Sequence, residues 1–205
     1  MRIDRIEPSA HRKGRVLVFL DSGACLKVTE AELVEFGLRA GDELDDDTLN
    51  RLREAGGVSN VRAKAAEIIA KRPLSRAALV RKLLDKGASP EEAAQAADWL
   101  TEIGALNDTE YAATLARGCA AKGYGPAKIR AKLYEKGVPK ELWDAAMSDL
   151  PDSAARIDAY LSRKLSGVAP DRDNKRKLTA SLLRHGFPWD DIRAAWARVG
   201  EDLEE

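Results

Sequence analysis

The sequence predicts a mainly α-helical protein, in which a small N-terminal β-hairpin region precedes three tandem three-helix repeats that form an elongated, curved body. Three observations support this fold class. Alanine, the residue with the highest helix propensity, occurs 34 times in 205 residues. One pattern of an apolar helical stripe, a glycine, a proline and an alanine pair recurs about every fifty residues. A β-branched and aromatic run, which is typical of a strand, lies near the N-terminus.

The strand signals lie in the N-terminal region, residues 1–57. Arg15–Leu20 is β-branched and aromatic, a turn signal follows at residues 21–23, and alternating polarity resumes at residues 25–28. Together these segments predict a β-hairpin. Residues 3–6 are a candidate third strand, and short helical stretches complete the region.

Beyond a predicted linker at Gly56-Gly57, a unit of about fifty residues occurs three times. Its clearest part is an amphipathic segment that ends in glycine and stands at residues 79–87, 129–137 and 178–186. A proline follows each glycine, and an alanine pair follows each proline. Another helical stretch precedes each segment. We therefore predict three-helix repeats at residues 58–106, 107–151 and 152–205.

The local signals within each repeat have a common physical basis. Aliphatic residues four positions apart form one apolar stripe on each middle helix: Leu79 and Leu83, Ile129 and Leu133, and Leu178 and Leu182. The glycine fits a C-terminal cap, where φ is positive, and the proline suits the first turn of the next helix. A three-helix repeat has a small core, so we expect adjacent repeats to stack.

The formal charge of zero hides an uneven distribution. Thirty-four Lys and Arg balance thirty-four Asp and Glu, which argues against a uniformly basic DNA-coating protein. Residues 1–60 carry nine basic and twelve acidic residues. Basic residues instead gather on the middle helices, with eight against two acidic residues at 62–86 and five against one at both 122–136 and 172–184. Stacked repeats would present a basic track suited to an acidic protein groove or a phosphate backbone.

Thirteen basic residues on or beside the middle helices are our candidates for contact with a protein or nucleic-acid partner. They are Lys71, Arg72, Arg76, Lys82, Lys122, Lys128, Arg130, Lys132, Arg172, Lys175, Arg176, Lys177 and Arg184. In the second repeat, Lys128, Lys132 and Lys136 are spaced four apart, so we expect one row beside the apolar stripe. Solubility alone is the alternative explanation for such basic helix faces.

The sequence offers little for catalysis, metal binding or membrane insertion. No serine lies in a nucleophile-elbow context, His11 and His185 have no evident partners, and Gly123-Tyr124-Gly125 lacks the pattern of a phosphate loop. Cys25 and Cys119 are isolated, which predicts reduced, buried thiols and a cytoplasmic protein. We therefore expect no enzyme activity, no cofactor, no metal site and no membrane span.

Four motifs make the chain similar to a known family. Residues 106–112 read Leu-Asn-Asp-Thr-Glu-Tyr-Ala, residues 122–126 read Lys-Gly-Tyr-Gly-Pro, and residues 184–187 read Arg-His-Gly-Phe. Residues 38–44 are similar to an N-terminal segment that many members carry. The chain thus resembles the RecX family of recombinase regulators over nearly its whole length, and the motif at 106–112 is the most specific.

The resemblance implies a non-enzymatic modulator of RecA recombinase in DNA repair and recombination. Family members are thought to lodge in the helical groove of the RecA–DNA filament and to lower ATP hydrolysis and strand exchange. The implied partners are the RecA filament and single-stranded DNA, contacted directly or through the filament by a monomer. We hypothesise that five cations hold the body in that groove: Lys128, Lys132, Lys175, Arg176 and Lys177.

Other classes of function compete with this one. A general DNA-binding protein fits the paired helices joined at glycine, which resemble helix-turn-helix units, and it predicts salt-sensitive binding to free DNA without recombinase. A helical scaffold for an unrelated protein predicts binding to neither DNA nor recombinase. An enzyme ranks last, because no catalytic constellation is evident in the sequence.

Overall fold

The computed structural model describes residues 1–10, 12–166 and 171–201. It confirms the mainly α-helical class with a small N-terminal sheet. The chain divides into two compact units. The first unit contains Met1–Pro73 and Ala78–Leu106, and the second contains Leu74–Ala77 and the residues from Asn107 onward. His11, one of the two histidines considered above, lies outside the described residues.

Three antiparallel strands form the N-terminal sheet in the order β1 (Ile3–Pro8), β2 (Arg15–Leu20) and β3 (Cys25–Thr29). The predicted hairpin and the candidate third strand are both present. The register pairs Val16 with Val28, so β-branched residues face each other on the buried side. This side of the sheet shares one core with the helices that follow: Ile3, Val16, Val18, Leu20, Val28, Leu38, Leu44, Leu49 and Leu52.

Four helices follow the sheet: α1 (Glu30–Glu35), α2 (Asp46–Lys71), α3 (Arg76–Leu84) and α4 (Pro90–Glu102). The start of α4 is set by a capping box. The Ser89 hydroxyl accepts a hydrogen bond from the Glu92 backbone N–H at 3.2 Å, and the Glu92 carboxylate accepts one from the Ser89 N–H at 2.8 Å. These bonds satisfy N–H groups that have no partner inside the helix.

The predicted linker at Gly56-Gly57 is wrong, because both glycines lie inside the continuous helix α2. The boundary placed between residues 57 and 58 therefore divides a helix. A Cβ on Gly56 would stand 2.8 Å from the Lys27 carbonyl oxygen, and one on Gly57 would stand 2.6 Å from a carboxylate oxygen of Glu92. Gly56 thus allows β3 to approach α2 closely, which a larger residue would prevent, whereas at Gly57 the flexible Glu92 side chain could move aside.

The first repeat packs α2 together with α3 and α4 around a small core. The predicted stripe residues Leu79 and Leu83 are fully buried, as is the alanine pair Ala96-Ala97. Gly87, with φ of +85°, ends the α3 region as the cap pattern predicts. The buried residues of this core are Val61, Ala65, Leu79, Leu83, Ala93, Ala96, Ala97, Leu100 and Leu106.

The second repeat comprises α5 (Asp108–Ala121), α6 (Pro126–Glu135), a 3₁₀ turn (Lys140–Leu142) and α7 (Trp143–Ser148). Its third helix is thus shorter than that of the first repeat and begins with a tighter turn. The stripe on α6 is fully buried, as predicted. The buried residues of this core are Ala112, Ala116, Cys119, Ile129, Leu133, Val138 and Ala146.

The third repeat comprises α8 (Ser153–Leu165), α9 (Arg172–Arg184) and α10 (Trp189–Glu201). Of the predicted stripe on α9, Leu182 is fully buried and Leu178 is half-buried at the edge of the core. Large side chains fill this core, whose buried members are Ile157, Leu161, Leu182, Phe187, Ile192, Ala195 and Trp196.

Two further sequence expectations concern single residues and the membrane. Cys119 is buried as predicted, but the same prediction for Cys25 is wrong, because Cys25 begins β3 and is exposed. In the part of the chain that the structure describes, no helix is both long enough and apolar enough to cross a bilayer.

Candidate functional site

The second and third repeats meet where two of the sequence motifs touch. The Gly125 backbone N–H donates to the His185 carbonyl oxygen at 2.7 Å, and the Ala127 N–H donates to the Gly186 carbonyl oxygen at 3.1 Å. A Cβ on Gly125 would stand 2.5 Å from the Gly186 carbonyl carbon. The loop before α6 therefore docks onto the end of α9 through backbone groups, and only glycine permits the approach.

An equivalent contact occurs one repeat earlier in the chain. Ser75 precedes α3 as Gly125 precedes α6, and Lys136 follows α6 as His185 follows α9. The buried Ser75 hydroxyl donates to the Lys136 carbonyl oxygen at 2.5 Å. The loop that leads into a middle helix thus contacts the carbonyl end of the next middle helix in both places, and this satisfies a carbonyl that the helix itself leaves unpaired.

Aromatic rings and cations surround the contact between the loop and α9. The Lys128 ammonium lies 4.2 Å from the centroid of the Tyr124 ring. The Arg156 guanidinium donates to the Tyr124 carbonyl oxygen and lies 5.3 Å from the centroid of the Phe187 ring. Cation–π contacts of this kind are attractive because the cation faces the negative side of the ring quadrupole. The structure therefore brings Lys128 close to the third repeat.

Two of the predicted contact residues act electrostatically on His185. Burial lowers the pKa of its imidazole below the ordinary value, and the positive charges of Lys128 and Arg184 lower it further. The ring lies 6.1 Å from each of the Tyr124 and Tyr160 rings. Lys128 on α6 and Arg184 on α9 thus act on the same imidazole.

The remaining cations of α6 interact with neighbouring carboxylates. The Glu135 carboxylate accepts from the Lys132 ammonium at 2.5 Å and from the Lys136 ammonium at 3.2 Å. The hydrogen bond to Glu135 raises the pKa of Lys132, and the bonds to Lys132 and Lys136 lower the pKa of Glu135. Arg130 lies 3.5 Å from the Asp144 carboxylate on α7. The predicted lysine row is therefore partly neutralised by carboxylates of the same repeat.

The cations of α9 are exposed and largely without carboxylate neighbours. Arg176 lies 3.7 Å from the Asp173 carboxylate, and the Lys175 ammonium lies 5.5 Å from the Trp196 ring centroid. Among the described residues, Arg172, Lys177 and Arg184 have no carboxylate within 4 Å. Their charge is therefore available to a partner.

The other predicted contact residues are distributed between the two units. Lys71 and Arg72 are exposed at the end of α2, and Lys82 is half-buried on α3, all in the first unit. In the second unit, Arg76 is exposed at the start of α3 and Lys122 is exposed at the end of α5. Each unit thus carries basic side chains that reach solvent.

One feature that the sequence analysis did not select is the start of α10. Trp189 is 57 % exposed and lines a cleft of about 340 Å³ together with Lys175, Thr179, Arg193 and Trp196. The sequence signal that could have identified Trp189 is its place at the first residue of α10, at the margin of the buried apolar stripe. An exposed aromatic beside cations suits stacking with a base or with another side chain.

Within residues 1–10, 12–166 and 171–201, no three metal-ligating side chains come together. The arrangement as a whole defines a class: a tandem three-helix-repeat protein whose distinguishing surface is a set of exposed cations on its middle helices.

Sequence comparisons identify the family within this class to which the chain belongs. A family model described as "RecX, second three-helix domain" matches residues 107–147. A regulatory protein RecX from Lactobacillus delbrueckii subsp. bulgaricus is 30% identical over 181 residues, which are 86% of this chain and 67% of that protein. A regulatory protein RecX from Xanthomonas axonopodis pv. citri is 37% identical over 134 residues, which are 64% of this chain and 83% of that protein. The chain belongs to the RecX family of regulatory proteins.

Solved structures agree with this assignment at the level of the fold. A crystal structure of a regulatory protein RecX superposes with a TM-score of 0.72 at 23% identity, covering 96% of this chain and 98% of the other. A structure of RecX from Lactobacillus salivarius superposes with a TM-score of 0.62 at 20% identity, covering 71% of this chain and 98% of the other.

Proposed function

We propose that this protein binds the RecA–DNA filament and lowers its ATPase and strand-exchange activities. The proposal depends chiefly on one observation, the exposed cations Arg172, Lys177 and Arg184 on α9, which lack carboxylate neighbours among the described residues. A filament of recombinase on DNA offers phosphates together with acidic side chains. Unpaired surface cations attract such a partner at long range and orient it on approach.

The docking between the second and third repeats adds to the attraction. Because the loop before α6 is held by the backbone of residues 185 and 186, the start of α6 and the end of α9 are joined through backbone hydrogen bonds in the free protein. A surface that is already ordered loses less conformational entropy on binding than a flexible one. We therefore treat α6 and α9 as one binding surface within the second unit.

The test is co-sedimentation with RecA filaments, with and without single-stranded DNA, followed by measurement of DNA-dependent ATP hydrolysis. The native protein is expected to sediment with the filament and to reduce ATP hydrolysis. The double variant Lys128→Glu/Lys132→Glu is expected to inhibit less, because it places negative charge on the binding surface.

The matched control changes the same net charge elsewhere. Arg39 and Arg53 are exposed in the first unit, so Arg39→Glu/Arg53→Glu is expected to inhibit as the native protein does. Circular dichroism and urea unfolding establish that every variant is folded. Native inhibition by the folded Lys128→Glu/Lys132→Glu variant would remove these two residues from the surface, and absence of filament binding by the native protein would overturn the proposal.

Binding to free DNA is the second candidate function, and the unpaired cations of α9 favour it as well. A protein of that kind binds oligonucleotides without recombinase, and its affinity falls steeply with salt. Fluorescence anisotropy with a labelled oligonucleotide over a range of salt concentrations separates the two functions. Equal affinity for bare DNA and for the filament would favour the second.

A further inference from the structure

A cationic cleft lies in the first unit, apart from α6 and α9. Its volume is about 670 Å³, and its lining comes from β2, β3, α2 and the chain just before β2. Four cations are part of that lining: Arg12, Arg15, Lys27 and Lys64. A cleft of this volume is within the range that proteins use for small ligands.

Arg15 is the unusual member of the four, because it is buried. Only 7 % of its surface is exposed. One guanidinium N–H donates to the Ser59 hydroxyl at 2.7 Å, and among the described residues no carboxylate lies within 4 Å of this side chain. A guanidinium carries five N–H donors, and buried arginines are ordinarily paired with an anion. Arg15 therefore retains N–H donors and lacks a carboxylate at ion-pair distance among the described residues.

The electrostatics of the cleft add to this conclusion. Burial lowers the pKa of Arg15 below its ordinary value; the charge of Glu32 opposes that lowering, and the charge of Arg12 adds to it. Glu32 is itself engaged elsewhere, since its carboxylate accepts from the Thr29 backbone N–H at 2.7 Å at the start of α1. An anion in the cleft would compensate the charge of Arg15 directly.

The other three cations stand where they can add to such a site. The Lys64 ammonium donates to the Lys86 carbonyl oxygen at 3.2 Å, which orients it and leaves its charge in place. Arg12 lies 3.0 Å from the Glu67 carboxylate, which offsets part of its charge, so Arg12 contributes less than Lys64. Lys27 is exposed. Leu17 and Val61 supply an apolar part of the lining. The cleft thus combines one buried cation, three more accessible cations and an apolar surface.

We propose that this cleft binds a phosphate group, with Arg15 as its principal partner and Arg12, Lys27 and Lys64 around it. Arginine suits this role because its planar N–H groups can donate two parallel hydrogen bonds to phosphate oxygens. The phosphate belongs either to a small free anion, such as a diphosphate or a nucleotide, or to the backbone of single-stranded DNA. The proposal requires no recombinase and is independent of the filament contact.

The first experiment measures thermal unfolding and calorimetric binding of the full chain with pyrophosphate, at ionic strength matched with sodium chloride. A ligand that binds only the folded state raises the melting temperature. We expect pyrophosphate to stabilise the native protein and the control Arg53→Gln, and not Arg15→Met. Arg53 is exposed on α2, about 10 Å along the helix axis from Asn60 in the cleft.

A second variant guards against a folding defect at the buried position. Arg12→Gln/Lys64→Gln leaves Arg15 in place and changes side chains that are partly exposed. Loss of their charge-assisted hydrogen bonds is expected to raise the Kd for pyrophosphate about tenfold. The proposal is overturned if pyrophosphate stabilises Arg15→Met as much as the native protein, or if the native protein responds to neither pyrophosphate nor DNA.

The source of the phosphate is decided by competition. A labelled oligothymidylate is bound to the native protein, and pyrophosphate is then added at constant ionic strength. Displacement that is absent in Arg15→Met identifies the DNA backbone as the occupant. Pyrophosphate binding in calorimetry without displacement identifies a small free anion. Both results support a phosphate site, and both are obtained without RecA.

Discussion

The middle helices of the second and third repeats carry the same number of basic residues but present them differently. α6 and its flanks hold five cations against one acidic residue, as do α9 and its flanks. On α6, Glu135 binds two of the lysines and Asp144 lies near Arg130. On α9, Arg172, Lys177 and Arg184 have no carboxylate within 4 Å among the described residues.

A recurring charge pattern along the chain therefore does not imply a recurring charged surface. An ammonium that already donates to a carboxylate attracts a further anion weakly, because the two charges nearly cancel beyond a few ångströms. Exposed guanidinium groups without such neighbours keep their full attraction. We therefore expect α9 to contribute more than α6 to binding, with Lys128 as the residue that links the two.

The largest expected effect comes from separating the two helices. In Gly125→Val, the new side chain meets the backbone of Gly186 and Phe187, where a Cβ alone would stand at 2.5–2.6 Å. We expect the free energy of unfolding in urea to fall by about 1–3 kcal/mol, as for an overpacked site. The control is Gly118→Ala in α5, where no atom lies within 4 Å, and it is expected to stabilise by up to about 1 kcal/mol. Equal stability of the two variants would contradict the docking.

The second largest effect is expected when α6 and α9 are compared directly in filament binding. Arg172→Glu/Lys177→Glu/Arg184→Glu and Lys128→Glu/Arg130→Glu/Lys132→Glu change the net charge equally. If the α9 cations contact phosphates, affinity falls with salt, and the plot of log affinity against log salt has a negative slope. The α9 variant should reduce the steepness of that slope by about 3, since each lost contact reduces it by about 1. The α6 variant is expected to reduce the steepness less. Sedimentation with RecA filaments at several salt concentrations measures both slopes, and a larger loss for α6 would reverse the ranking.

A smaller effect is expected from making α6 resemble α9. Glu135→Gln removes the carboxylate that binds Lys132 and Lys136, so their charges become available and the pKa of Lys132 falls back. Filament affinity should rise by a factor on the order of two, the scale of one helix ion pair. Stability should change little, because exposed ion pairs contribute little. Glu141→Gln, an exposed carboxylate of the same repeat, is the control, and an equal rise for it would indicate a general charge effect.

The smallest effect concerns pH at the junction of the two repeats. Because burial and the charges of Lys128 and Arg184 lower the pKa of His185, the unfolded chain takes up its proton first as pH falls. Neutral His185 therefore contributes stability to the folded protein above the pKa of about 6.5 that an unfolded histidine has. This contribution is lost as pH falls from that value toward the lower pKa of His185 in the folded protein. Urea unfolding at several pH values should show a steeper loss for the native protein than for His185→Gln. Parallel profiles would show that His185 does not titrate in this way.

Much of the fold was predictable because it depends on local patterns. The stripes at Leu79 and Leu83 and at Ile129 and Leu133 are fully buried as expected, since apolar residues four positions apart occupy one helix face whatever lies against it. Gly87, Gly137 and Gly186 adopt positive φ, as their place after a helix predicts.

The two failures have different causes. Gly56 and Gly57 have the composition of a linker, yet α2 continues through them. Glycine is required at position 56 because the Lys27 carbonyl oxygen, distant in sequence, would lie 2.8 Å from a Cβ there. Cys25 was expected to be buried, but it stands at the exposed start of β3, on the strand face opposite the buried Val28.

For the candidate binding surface, too, some properties are local in the sequence and others depend on the fold. Which helices are basic can be read from the chain alone, because a count of charges within a helix is local. Which charges are neutralised and which are buried depends on the folded neighbours of each side chain. Asp144 reaches Arg130 from the next helix, and the charges of Lys128 and Arg184 both act on His185. Arg15 is buried in the cleft formed by the strands and α2, with no carboxylate within 4 Å among the described residues. Electrostatic interaction depends on distance and burial, and these are properties of the folded chain.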